Sequence, residues 1–151
     1  MKILPGDLDD PCVRDLLKLH LTGMQENSPP DSVYALDLSG LAVAEVSLWT
    51  AWDGDELLSC GAIKELSPTS AEIKSMRTYP RHLRKGAGRA LLQHMLTLAR
   101  SRGYARVSLE TGTSESFVPA LALYRAAGFT NGEPFADYEA SDFNQFLHLD
   151  L

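Results

Sequence analysis

Between Ile73 and Leu109 the chain carries nine Lys and Arg residues and no Asp or Glu, and Gly86-Ala87-Gly88 stands in the middle of that block. Residues alternate as a strand from about Ala71 to Thr78 before the glycines, and Leu91, Leu92, Met95, Leu96 and Ala99 recur at helical spacing after them. A strand, a basic glycine turn and a helix N-terminus together form an anion cradle, because exposed backbone N–H groups and the positive end of the helix dipole face the ligand. Glycine lets that ligand approach where a Cβ would hold it away. Arg100, Arg102 and Arg106 lie at and beyond the basic end of the same helix and read as its solvated surface. The cluster from Arg77 to Arg89 surrounds the glycines and reads as an anion site.

The whole chain has 151 residues and a net charge of −6, so outside the basic block five Lys and Arg face all 20 Asp and Glu. One local surface therefore suits an anion, while the acidic remainder and the lack of interleaved aromatics argue against nucleic acid as a partner. The N-terminus turns acidic before any apolar run forms, and no stretch approaches a membrane span, so a cytoplasmic protein with no membrane contact is expected. Cys12 and Cys60 are far apart without metal or disulfide spacing, and each is expected to be a buried small hydrophobe. His20, His82, His94 and His148 also lack metal spacing, so no metal is expected.

The other elements follow from periodicity and punctuation. Lys2 to Leu4 reads as a strand, Asp9 or Asp10 caps a helix with Pro11 at its start, and Leu38, Leu41, Ala42 and Glu45 fit a second short helix. Val46 to Trp52 and Leu57 to Glu65 flank the hairpin signal Asp53-Gly54-Asp55. Tyr104 to Thr111 is a strand, Ser114 or Ser116 caps a helix through Ala127 that Gly128 ends, and Phe129 to Tyr138 and Gln145 to Leu151 supply two more strands. No linker or repeat appears, so residues 1–151 are expected to form one mixed α/β domain.

A Walker loop needs Ser or Thr after Gly-Lys, whereas Gly88 is followed by Arg89-Ala90. A dinucleotide fingerprint needs a third glycine where this chain has Leu91. The run Leu83-Arg84-Lys85-Gly86-Ala87-Gly88-Arg89-Ala90 resembles instead the Arg/Gln-x-x-Gly-x-Gly/Ala loop of the GNAT N-acetyltransferases, and Ala120-Leu121-Ala122-Leu123-Tyr124-Arg125-Ala126-Ala127-Gly128-Phe129 is similar to that family's A-x-x-L-Y-x-x-x-G-F segment. Two positions depart from the pattern: Leu83 replaces the usual Arg or Gln, and Phe117 stands where many members carry Asn.

The resemblance implies a mostly antiparallel sheet of six or seven strands with one splayed parallel pair, about four helices, and a homodimer. It implies acetyl-CoA in the splay, its phosphates on Arg84, Lys85, Gly86, Ala87, Gly88, Arg89 and Ala90 and its pantetheine arm along Met76, Arg77 and Thr78. Acetyl transfer to a small-molecule or peptide amine then needs a base and an acid. Glu72, a carboxylate among apolar strand neighbours, is the first candidate base; Glu110 or a water relay is the alternative. An exposed edge residue, or a partner for Lys74 or Lys64, is the competing reading of Glu72. Tyr124 is placed by its motif to protonate the leaving thiolate, and a backbone N–H near Met76 to polarise the carbonyl. Glu26, Tyr34, Glu110, Asp137 and Tyr138 are candidates for the acceptor pocket. A non-catalytic acyl-CoA-binding module with the same fold is the alternative function.

Overall fold

Leu57 to Ile63 form a run broken only by Ser59 and too apolar for an alternating surface strand, and a strand of this kind must be covered on both faces. In the computed structural model, which describes residues 1–28 and 38–151, that run is buried throughout and forms most of β3 (Glu56–Ser67). Around it stand β1 (Lys2–Pro5), β2 (Val46–Asp53), β4 (Ser70–Thr78), β5 (Arg106–Gly112), β6 (Thr130–Gly132) and β7 (Asn144–Asp150). The sheet order is β1-β2-β3-β4-β5-β7-β6, antiparallel except for β4 beside β5. The helices are α1 (Pro11–Asn27), α2 (Leu38–Leu41), α3 (Ala87–Ser101) and α4 (Val118–Ala126). The expected fold class is the one observed.

Each face of the sheet has its own core. Leu91, Leu92, Met95 and Leu96 of α3 pack with Ile63, Ile73, Val107 and Leu109 on one side. Val13, Leu16 and Leu17 of α1 pack with Cys60, Ala62 and Leu48 on the other. Asp10 caps α1, its carboxylate accepting from the Cys12 amide at 2.8 Å, with Pro11 in the first turn. That register turns Cys12 outward; only Cys60 is the buried thiol expected, so the expectation for Cys12 is corrected.

The site is prepared by an irregularity in β4. Cys60 pairs with Arg77 and Ala62 with Lys74, so β4 spends one more residue than β3 over this interval. The extra residue lies beside Ser75, held at φ 55°. Beyond the bulge the phase of the strand is reversed: Glu72, Lys74 and Arg77 share the α1 face, while Met76 turns toward α3. Room for Met76 comes from Gly61, where an added Cβ would lie 2.4 Å from the Met76 sulfur and 2.9 Å from Met95 Cε. Gly61→Val is therefore expected to overpack this spot and destabilise the protein by about 1–3 kcal/mol, read by chemical denaturation.

Three boundaries differ most from expectation, while β5 starts at Arg106 rather than Tyr104. The strand expected over Phe129 to Tyr138 shrinks to Thr130–Gly132, because Pro134 has no N–H to extend a ladder and the chain beyond it folds back on itself. The short helix ends at Leu41, and Ala42 and Glu45 lie outside it. Ser114 precedes a single 3-10 turn, Glu115–Phe117, without a side-chain cap, and α4 starts only at Val118.

Candidate functional site

The loop before α3 twists its backbone in alternate senses. Arg84 has φ 63° and Gly86 φ 83°, and Gly86 is the residue at which the helix begins. This alternation turns successive N–H groups toward one concavity at the positive end of a 15-residue helix. No atom lies within 4 Å of a Cβ built at Gly86, and one built at Gly88 would meet only Thr78 Oγ1 at 3.5 Å and Leu123 Cδ2 at 3.6 Å. A methyl fits at Gly88, and a longer side chain would project into the adjoining cleft. Arg84, Lys85 and Arg89 are exposed around the concavity, with Ala87 buried and Ala90 half-buried behind it. His82 stiffens the turn: its ring nitrogens meet Lys85 Nζ at 2.9 Å and Glu56 Oε1 at 3.1 Å.

β4 and β5 are paired only at Ser70, Ala71 and Glu72 against Arg106, Val107 and Ser108. Past Glu72 they separate, and a cleft of about 360 Å³ opens between them, bounded by Met76, Arg77, Thr78, Gly88, Tyr124 and Glu110 among others. Ser75 Oγ, in the wall of this cleft, is buried without a hydrogen-bond partner among the described residues, a polar atom left for a ligand to satisfy. Phe117 also lines it, its ring filling the space that a side chain at Gly112 would need. The Asn of the family's pattern thus gives way to an apolar wall.

Two carboxylates face the cleft. Glu72 is 2% exposed and ion-paired with Lys74 Nζ at 3.2 Å. The Tyr138 hydroxyl donates to Glu72 and accepts from Lys74. Tyr138 is held there because Phe135, three residues earlier, packs edge-on against Phe146 and His148. Glu110 is differently placed. Burial pushes its carboxyl up to about 7, the Glu72 charge adds to the rise, and an Asn144 hydrogen bond and the Lys74 charge oppose it.

Tyr124 projects from α4 into the cleft, packed edge-on against Phe129 at 5.9 Å. Burial raises its phenol above the ordinary range against the opposing charge of Arg77, so it stays protonated. On the α1 side, Arg77 Nε donates to His20 Nδ1 at 3.0 Å, and burial together with Arg77 and Lys74 holds His20 down at about 3, a neutral ring.

Of the expected acceptor residues, the fold brings Glu110 and Tyr138 to the cleft, whereas Glu26 and Asp137 are exposed outside its lining. Tyr34 lies outside the described residues. Asn144 went unread in the sequence, and His20 was read there only as a histidine without metal spacing. His20 had one usable signal, a polar residue on the apolar stripe of α1 beside Leu16 and Leu17.

The acetyltransferase (GNAT) family pattern matches residues 13–129. The uncharacterized N-acetyltransferase YsnE of Bacillus subtilis (strain 168) is 51% identical over 147 residues, which is 97% of either chain. The crystal structure of a Klebsiella pneumoniae chain assigned to the acyl-CoA N-acyltransferases superposes with a TM-score of 0.82 at 27% identity, covering 99% of this chain and 97% of that one. A Bacillus subtilis acetyltransferase crystallised in complex with CoA shares the fold, with a TM-score of 0.74 at 23% identity over 99% of this chain and 98% of its own.

Proposed function

Because the chain belongs to the GNAT family of acetyltransferases, we propose that it moves the acetyl group of acetyl-CoA to a primary amine by direct attack. The observation that carries this reading is one continuous surface: the glycine cradle opens onto a cleft that also receives a carboxylate with a pKa near neutrality and a protonated phenol. The residues fit the cosubstrate. The N–H groups from Lys85 to Arg89 would hold the pyrophosphate, and the backbone of Met76 to Thr78, freed from β5 by the splay, would pair with the pantetheine arm. When bound, acetyl-CoA supplies an acyl group already activated as a thioester.

The chain's own groups then divide the proton work. Glu110 takes a proton from the acceptor ammonium, since a carboxyl poised near 7 both binds and releases one at neutral pH. Glu72 is already engaged by Lys74 and Tyr138, so the base role passes from Glu72 to Glu110. A backbone N–H near Met76, turned by the bulge, polarises the thioester carbonyl. As the N–C bond forms and the C–S bond breaks, Tyr124 gives its proton to sulfur, and the second proton of the attacking nitrogen restores the phenol.

Thiol release from acetyl-CoA with a panel of amines tests the reading. Tyr124→Phe is expected to lower kcat by about 10²-fold with a much smaller change in acetyl-CoA Kd. An unchanged kcat would remove Tyr124 from the acid role. Acetyl-CoA binding without turnover on any amine would leave the binding-module alternative standing.

A further inference from the structure

Arg77 is a half-buried cation that no carboxylate of the described residues pairs with. Among the described residues its side chain makes one hydrogen bond, Nε to His20 Nδ1, and takes part in no ion pair. The charged and titratable groups around it are Lys74, already paired with Glu72, neutral His20, and Tyr124 and Cys60, which burial keeps protonated. An unpaired guanidinium in a partly dry cleft is costly, and burial already pulls its pKa down.

Yet three separate features hold it in place. The bulge at Ser75 swings Arg77 onto the α1 face of the sheet. His20 fixes one edge of the guanidinium through Nε, leaving the terminal N–H groups pointing away from that bond. Gly23 on α1 leaves space for the fork, since a Cβ there would lie 2.9 Å from Nη2. All three residues line the same cleft as Glu110.

We propose that the terminal N–H groups of Arg77 bind a carboxylate of the acceptor, so that the amine acetylated is an aminocarboxylate of the amino-acid type. The guanidinium fork matches a carboxylate in two parallel hydrogen bonds, which a point-charge ammonium cannot do. The ammonium of the same molecule meets Glu110, which lines the same cleft and takes part in no ion pair among the described residues. The acceptor is thus dipolar, positive toward Glu110 and negative toward Arg77. This rests on the acetyltransferase reading and narrows its substrate class.

The experiment compares matched acceptors, a set of amino acids, their primary amides and the corresponding decarboxylated amines, on the wild-type protein and on Arg77→Gln, Arg77→Lys and Gly23→Ala. Wild type is expected to favour each carboxylate over its amide by at least about tenfold in kcat/KM. Arg77→Gln should erase that ratio and Arg77→Lys keep part of it. Gly23→Ala should reduce it without altering Arg77, in a helix that alanine favours. Equal kcat/KM for carboxylate and amide in wild type, or an unchanged ratio in Arg77→Gln, would overturn the proposal while leaving the acetyltransferase intact. Calorimetric titration of the CoA-bound protein with the same compounds reads the contact without turnover. Arg77-dependent binding of the carboxylates with no transfer would uphold the subsite and overturn the enzymatic reading, and no carboxylate preference in either assay overturns the subsite.

Discussion

Glu110→Gln lowers acetyl transfer at neutral pH by about 10²- to 10⁴-fold, the range for loss of a general base. In the wild type kcat/KM climbs with pH and levels off above about 7, because only the ionised carboxylate accepts a proton from the acceptor and burial places its midpoint there. The variant has no such midpoint. A second consequence has the opposite sign. Glu110 is raised in the folded chain, so the folded state prefers it protonated, and the stability it contributes is complete below the unfolded value of 4.5 and is lost as pH rises through about 7. Discounted for the solvent that reaches it, that loss is about 1–2 kcal/mol. Glu110→Gln should therefore be more stable than wild type at mildly alkaline pH, an advantage that vanishes in acid, as urea unfolding at the two pH values would show. A variant as active as wild type, with the same pH midpoint, would return the base role to Glu72 or to water.

The same pair of carboxylates shows where sequence reading stops. Glu72 and Lys74 are two residues apart on one strand, and their pairing was among the alternatives open from the sequence. Tyr138 was named as a pocket residue, but its bond to Glu72 joins positions 66 apart through a loop whose course depends on Phe135 finding Phe146. Local pattern does not encode such a contact. The bulge is a clearer case. Ser75 takes a left-handed φ without being Gly or Asn, so nothing in Ala71 to Thr78 signals that alternation fails there. A regular strand would have put Arg77 on the face opposite Glu72. Only the register with β3 puts them together, and with it the acceptor subsite proposed for Arg77. Glu26 and Asp137 stand outside the cleft's lining for a related reason: each lies on an element that borders the cleft, and the rotation of a helix or loop about its own axis decides whether a side chain enters. What was legible was local. The glycine turn, the Tyr124 segment and the order of elements follow from short-range spacing, and the structure shows each where the spacing put it.

Gly86→Val should abolish the cosubstrate site, with acetyl-CoA Kd rising about 10²-fold or more by loss of at least two charge-assisted N–H bonds. Gly86 stands at φ 83°, a region that a β-branched residue enters only under strain, so valine forces the turn to relax and scatters the N–H groups from Lys85 to Ala87. The cost to folding is about 1–2 kcal/mol, because one residue rather than a whole element is strained. Gly88→Ala separates this backbone requirement from simple smallness. Position 88 lies inside α3, its added methyl would touch Thr78 and Leu123 at ordinary contact distance, and alanine gains about 0.5–1 kcal/mol of helix stability over glycine. That variant should melt higher than wild type and bind acetyl-CoA within about threefold of it, since no N–H group moves. Thermal unfolding of the two variants should shift in opposite directions, and calorimetric titration should show lost affinity in Gly86→Val alone. Unaltered acetyl-CoA affinity in Gly86→Val would mean that the phosphates do not rest on this loop, and the basic block around it would then need another anion.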